Sequence, residues 1–215
     1  MNWKKKLLKK NNLYIILDTE ILPKGRIYKL AELCAKEELD FVQLRAKCMN
    51  GKELIEIGKR LRAIFKDTST LFIVNDRLDV ASILGCGLHV GASDIPLEEI
   101  FSILGKGALV GFTVHSRHEL EYANKFPLSY VSFGPLFRTS LKFHLKPQGI
   151  KKFLEMRERS KHKMFAIGGI NIDNIDSLIE EGIGDIVILS AFCNAKNPQQ
   201  FLRIIKEKMN YAIHN

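Results

Sequence analysis

The sequence predicts an α/β fold built as one (β/α)8 TIM barrel. Short apolar, β-branched runs recur about every 20 to 30 residues, with amphipathic stretches between them. Those runs are continuously apolar rather than alternating, which suits parallel strands covered on both faces. Eight such alternations fit a chain of 215 residues that shows no linker-like stretch.

In order, the expected strands are 13–18 (LYIILD), 40–45 (DFVQLR), 71–75 (LFIVN), 87–90 (GLHV), 108–112 (ALVGF), 129–134 (SYVSFG), 163–168 (KMFAIG) and 185–190 (DIVILS). Between them, 27–39 sets Ile27, Leu30, Ala31, Cys34 and Ala35 on one helical face. Residues 52–66 do the same with Leu54, Ile57, Leu61, Ile64 and Phe65. A helix over 171–181 starts at Asn171 as N-cap and stops before Gly182, and 198–210 opens on Pro198. An open doubly wound sheet is the structural rival. Leu17-Asp18-Thr19 stands after the first strand where a dinucleotide fold would carry GxGxxG.

The barrel is expected to occupy 13–213, preceded by a basic extension over 1–12. Net charge is +9, and Lys4, Lys5, Lys6, Lys9 and Lys10 supply five of the positive charges. Such a run could touch nucleic acid or an anionic membrane surface, but a solvated first helix is the preferred reading. No apolar run reaches membrane-spanning length, and the N-terminus lacks the apolar core of a secretory signal. Cys34, Cys48, Cys86 and Cys193 have no metal-like spacing, so free thiols in a reducing cytoplasm are expected. A homo-oligomer is compatible with the sequence.

Polar residues gather where strands end. Gln43 and Arg45 close the second run with Lys47 just beyond, Asn75 and Asp76 close the third, and Asp94 lies past the fourth. Thr113 follows the fifth, Gly134 ends the sixth, Gly168 and Gly169 follow the seventh, and Ser190 ends the eighth. In a parallel barrel these tips share the rim where active sites of this fold are built. Asp76 and Asp94 could together hold Mg2+, which takes one or two carboxylates beside water and phosphate. Singly, each could instead cap the helix that follows it. Arg45, Lys47 and Lys142 could neutralise a pyrophosphate. Asn75 could bond a heteroaromatic ring or a phosphate, or support its strand end. The AIGGI turn (166–170) and the LSA turn (189–191) suit a phosphate, through glycine backbone and helix N-termini. His89, inside an apolar strand, reads as a satisfied core histidine. His115 remains open for proton transfer. The long loop 135–147, with Arg138, Lys142, His144 and Lys146, could close over a substrate.

The segments VQLRAK (42–47), VNDRLDVA (74–81), GLHVGASDIP (87–96), GFTVHS (111–116), SFGPLFRTSLK (132–142), AIGGI (166–170) and VILSAF (187–192) together resemble the thiamine-phosphate synthase family. The resemblance implies an Mg2+-dependent transferase that joins hydroxymethylpyrimidine pyrophosphate to a thiazole phosphate in thiamine biosynthesis. It implies that Asp76 and Asp94 hold the metal, and that Arg45, Lys47, Asn75, Thr113 and Lys142 contact the leaving group. Gln43 would lie near the pyrimidine. Thr139, Gly169 and Ser190, with the Leu189 and Ser190 amides, would hold the thiazole phosphate. Ala92, Thr113 and Leu141 depart from the family, where glutamine, serine and a second hydroxyl residue are usual. The loss at Leu141 predicts weaker thiazole-phosphate binding or altered specificity. Thiazole tautomerases of the same fold are the first rival, sharing the histidine that matches His115 but tending to lose the acid at Asp76. A catalytically silent regulatory or nucleic-acid-binding barrel is the second. Asp76, Asp94 and Lys142 together favour the synthase.

Overall fold

Eight parallel strands pair in sequence order and close on themselves: β1 (Asn12–Asp18), β2 (Phe41–Arg45), β3 (Leu71–Asn75), β4 (Gly87–Gly91), β5 (Val110–Val114), β6 (Tyr130–Phe133), β7 (Met164–Ile167) and β8 (Asp185–Ile188). The computed structural model describes residues 3–139 and 145–211. α1 (Trp3–Leu7) precedes the barrel. Helices α2 (Lys24–Lys36), α3 (Gly51–Phe65), α4 (Leu78–Leu84), α5 (Leu97–Leu104), α6 (Arg117–Ala123), α7 (Gly149–Arg159) and α8 (Ile175–Glu180) each follow one strand. α9 (Ser190–Cys193) and α10 (Pro198–Tyr211) follow the last. This is the expected TIM barrel, and no strand boundary differs from expectation by more than two residues.

Two helices differ more. α2 starts earlier because Pro23 supplies the extended residue before its first turn, and Glu38 at φ 50° turns the chain out beyond its end. The stretch before α8 is a turn rather than helix. Asn171 Oδ1 accepts from the Asp173 amide at 2.8 Å, and Asn174 Oδ1 accepts from the Asn171 amide at 2.9 Å. Two short amide side chains thus satisfy backbone groups that a helical turn would have used. Asn171 is therefore not the N-cap, and the helix starts at Ile175.

The main core lies between barrel and helices, built from faces such as Ile27, Leu30, Leu54, Ile57 and Leu61. A second, smaller core fills the barrel with Tyr14, Ile16, Phe41, Leu71, Ile73, Tyr130, Phe165 and Val187. Within it the rings of Tyr14, Phe41, Tyr130 and Phe165 form a layer with centroids 5.2 to 6.1 Å apart. Toward the N-terminal end of the strands, Leu7 of α1 packs on this core, and Lys6 is buried in an ion pair with Asp40 at 3.4 Å. Toward the C-terminal end the inward positions turn polar: Gln43, Asn75, His89, Thr113, Ser132 and Arg45. That change of character is what locates a site. No helix among the described residues is long and apolar enough to cross a membrane.

Candidate active site at the strand tips

Asp76 leaves β3 in the left-handed region, at φ 62°, and its amide donates to the His89 carbonyl of β4 at 2.8 Å. A non-glycine residue held there costs backbone energy, a cost commonly found at functional sites. The capping alternatives fail for both acids. The residue before α4 is Arg77 and the residue before α5 is Pro96, and neither helix start carries a side-chain cap. Asp94 instead folds back so that its Oδ2 accepts from the Gly91 amide at 2.7 Å.

Burial raises the pKa of Asp76, the Lys47 ammonium 3.1 Å away opposes the rise, and the facing Asp94 carboxyl adds to it. Two like charges therefore meet at the rim with one lysine beside them. Their donors are hard carboxylate oxygens, suited to a small divalent cation whose remaining ligands are water and phosphate. Among the described residues no cluster of three or more His, Cys, Asp or Glu forms a cage supplied by protein alone. The pair fits Mg2+ and leaves coordination positions for a substrate.

Arg45 is held by two acids that the sequence reading did not single out. Its Nη1 contacts Asp18 Oδ2 at 2.5 Å and Glu20 Oε2 at 3.1 Å, and the Asp18 side chain is fully buried. Asp18 obeys the same positional rule as the other tips, being the last residue of β1, and that rule could have found it. Glu20 Oε1 also accepts from Cys48 Sγ at 2.9 Å. The Cys48 and Arg45 hydrogen bonds hold the Glu20 carboxyl below its ordinary range, with Lys47 contributing. Arg45, Lys47 and Asp76 are thus linked through shared charge partners.

Deeper in the barrel Gln43 is buried, and its Nε2 donates to Tyr14 Oη at 2.6 Å. Tyr14 Oη lies 2.9 Å from Tyr130 Oη, which lies 2.9 Å from His89 Nδ1. His89 Nε2 lies 2.7 Å from Thr113 Oγ1, itself 2.9 Å from Ser132 Oγ. His89 is a satisfied interior histidine, as expected. Thr113 sits within β5 rather than after it. His115, just beyond β5, has Nδ1 2.5 Å from the Gly134 carbonyl.

At the other side of the rim, Gly168 and Gly169 take φ 100° and 71°. A Cβ on Gly169 would meet the Arg138 carbonyl oxygen at 2.5 Å, so the residues leading into Thr139 lie against this turn. β8, paired to β7, ends beside it, and Leu189 at φ −123° and ψ −87° leads into the single-turn α9 that begins at Ser190. First-turn amides of a helix have no acceptor within it, and a short extra helix after strand eight is a recurrent phosphate seat in barrels. Gly169 and the pair Leu189-Ser190 therefore follow the adjacent strands β7 and β8, and Thr139 follows Arg138, whose carbonyl lies against Gly169. Arg45, Lys47, Asn75, Asp76, Asp94 and Thr113 lie at the tips of β2 to β5. Lys142, Leu141 and His144 lie outside the described residues.

A family model described as thiamine monophosphate synthase matches residues 13–192. A thiamine-phosphate synthase of Methanosarcina mazei is 34% identical over 210 residues, covering 95% of this chain and 87% of that protein. One from Clostridioides difficile is 33% identical over 195 residues, covering 90% and 93% respectively. The chain spans only 50% of the length of a Prochlorococcus marinus relative of the same name, at 32% identity over 173 residues. Among solved structures, a thiamine phosphate pyrophosphorylase from Pyrococcus furiosus aligns with TM-score 0.86 and 27% identity, over 99% of this chain and 100% of that one. A tryptophan synthase alpha chain from Legionella pneumophila, at TM-score 0.69 and 17% identity over 100% of this chain and 98% of its own, shares the fold alone.

Proposed function

This chain belongs to the thiamine monophosphate synthase family, and from that premise we propose that it joins hydroxymethylpyrimidine pyrophosphate to a thiazole phosphate, releasing pyrophosphate and forming thiamine phosphate. The observation that carries the reading is the meeting of Asp76, Asp94 and Lys47 at one edge of the rim. A divalent cation held by that acid pair, with the lysine beside it, would suit a departing diphosphate better than a neutral or monoanionic substrate.

The reaction breaks the bond between the pyrimidine methylene carbon and the diphosphate oxygen, which leaves with the electron pair. The thiazole ring nitrogen then supplies the pair for the new carbon–nitrogen bond. No protein nucleophile is required. Mg2+ held by Asp76 and Asp94 would offset charge on the leaving diphosphate. Arg45 and Lys47 contribute fixed positive charge there, Arg45 being preset by Asp18 and Glu20. Asn75 and Thr113 donate to the same group, and Gln43 meets the pyrimidine. Thr139, Gly169, Leu189 and Ser190 hold the thiazole phosphate, so that both rings are oriented for attack. The four free cysteines suit a reducing cytoplasm.

The test supplies both substrates with and without Mg2+ and measures thiamine phosphate and pyrophosphate. Product is expected only with the metal, and Asp76→Asn or Asp94→Asn should lower turnover by about 100-fold or more. Full turnover in either variant with metal chelated removes the metal assignment. Metal-independent isomerisation of a thiazole carboxylate phosphate, lost in His115→Ala, would instead identify a tautomerase.

A further inference from the structure

The buried polar side chains beneath the site form a line rather than a cluster. From Gln43 on β2 it passes to Tyr14 on β1, crosses the barrel to Tyr130 on β6, and reaches His89 on β4, Thr113 on β5 and Ser132 on β6. Tyr14, Tyr130, Gln43 and Ser132 are each at most 1% exposed. Gly111 makes the crossing possible. A Cβ there would lie 2.1 Å from Tyr130 Cζ, 2.4 Å from Tyr130 Oη and 2.6 Å from His89 Nδ1. The one inward position of β5 that the line passes over carries no side chain.

Each hydroxyl in the line has one hydrogen, so the direction of one bond sets the direction of the next. If Gln43 Nε2 donates to Tyr14 and Tyr14 directs its hydrogen along the line, Tyr14 donates to Tyr130 across their 2.9 Å contact. Tyr130 then donates to His89 Nδ1, so Nε2 would carry the ring hydrogen and donate to Thr113 Oγ1. Thr113 keeps its own hydrogen for Ser132, or for an anion arriving at the rim. In this direction Gln43 Oε1 is left to accept. With the amide turned over, every bond reverses, Gln43 offers a donor, and the Thr113 hydrogen is directed at His89 Nε2.

We propose that Tyr14, Tyr130 and His89 are positioning residues that couple recognition of the heteroaromatic ring at Gln43 to donation by Thr113 toward the leaving group. The inference rests on the synthase reading for what occupies the two ends. A ring presenting an amino donor to Gln43 Oε1 selects the direction in which Thr113 can donate to a diphosphate oxygen. A ring presenting an oxo acceptor selects the opposite direction and withdraws that hydrogen. The line therefore discriminates substrates through the chemical step as well as through binding.

The test compares the amino pyrimidine diphosphate with its oxo analogue in wild type, Tyr14→Phe and Tyr130→Phe. Either variant should lower the amino-to-oxo ratio of kcat/KM by about tenfold, the scale of one lost hydrogen bond. Tyr14→Phe should be strongly non-additive with Thr113→Val, though the two side chains do not touch, and additive with Thr113→Ser, which keeps the hydroxyl. An unchanged ratio, or strict additivity with Thr113→Val, overturns the proposal. A readout independent of activity uses 15N-labelled histidine, with His89 assigned by difference against His89→Asn. With the amino pyrimidine diphosphate bound, the wild-type ring should have Nδ1 unprotonated and Nε2 protonated, and Tyr14→Phe should shift that tautomer balance. A wild-type ring protonated at Nδ1 in that complex overturns the proposal. Absence of thiamine phosphate formation would sink the synthase reading alone, because the tautomer measurement still tests the line.

Discussion

At the scale of single residues, Asp76 sets function against stability. Burial, with the Asp94 carboxyl adding and Lys47 opposing, raises its pKa. A carboxyl whose pKa is higher folded than unfolded binds its proton more tightly in the native state. Stability is therefore lost as pH rises from the ordinary carboxylate range through the raised value, and the loss is complete above it. Asn accepts a positive φ and cannot ionise, so Asp76→Asn keeps the backbone and removes the repulsion. The variant should melt about 2–4 °C higher than wild type near neutral pH, the response of a domain this size to about 1 kcal/mol. The gain should vanish below the ordinary carboxylate range. Mg2+ should raise the wild-type melting temperature and leave the variant unmoved. Equal melting temperatures at neutral pH would show that Asp94 and Lys47 already balance the site.

At the scale of elements, the turn from β7 into α8 combines two separate demands on glycine. Gly169 needs positive φ, and it also lies against the backbone of Arg138. Gly182 needs positive φ alone, with nothing within 4 Å of its missing Cβ. Each change to alanine should cost about 1–2 kcal/mol for the left-handed backbone. Gly169→Ala must in addition push away the residues leading to Thr139, and should raise KM for the thiazole phosphate by about tenfold, whereas Gly182→Ala leaves KM unchanged. Equal KM values in the two variants would detach the turn from phosphate binding. Neither demand is visible in a string of letters: the pair Gly168-Gly169, beside the turn after β8, favours a phosphate seat over a mere tight turn, but does not say which glycine meets a neighbouring backbone. The strands were legible because burial on both faces leaves an unbroken apolar run. β5 lies two residues later than its apolar run suggests, because Ala108 and Leu109 extend that run ahead of the strand. Asp76 and Asp94 were legible as candidates by position, yet capping and metal binding separate only with the backbone in view. Tyr14 and Tyr130 give no such signal, because an aromatic residue inside a strand reads as core. Their hydroxyls meet across the barrel, between β1 and β6, five strands apart in sequence order.

At the scale of the whole molecule, the two ends of the barrel have separate duties. The site residues stand at the C-terminal tips, while α1 covers the opposite end. There Asp40 accepts from Lys6 at 3.4 Å and Lys9 at 2.9 Å, and Leu7 packs on the interior core. Lys163 Nζ pairs with Asp185 at 3.1 Å and donates to the Leu7 carbonyl at 3.1 Å. The basic segment is thus partly consumed in closing the fold, and fewer of its lysines remain to meet a polyanion than its letters suggest. Deleting residues 1–10 uncovers the lower face of the aromatic layer and strips Asp40 of both lysines. The truncated protein should melt several degrees lower, since about 1 kcal/mol corresponds to about 2–4 °C here. Because the aromatic layer of Tyr14, Phe41, Tyr130 and Phe165 stands between that end and the rim, kcat/KM well below the melting transition should stay within about twofold of wild type. A silent nucleic-acid-binding barrel predicts the reverse pattern, with salt-sensitive polyanion binding lost on truncation and no turnover to preserve. Measuring melting temperature, turnover and salt-dependent binding on the same truncated protein separates the two, and turnover lost at temperatures where the fold persists would show that the ends of this barrel are not independent.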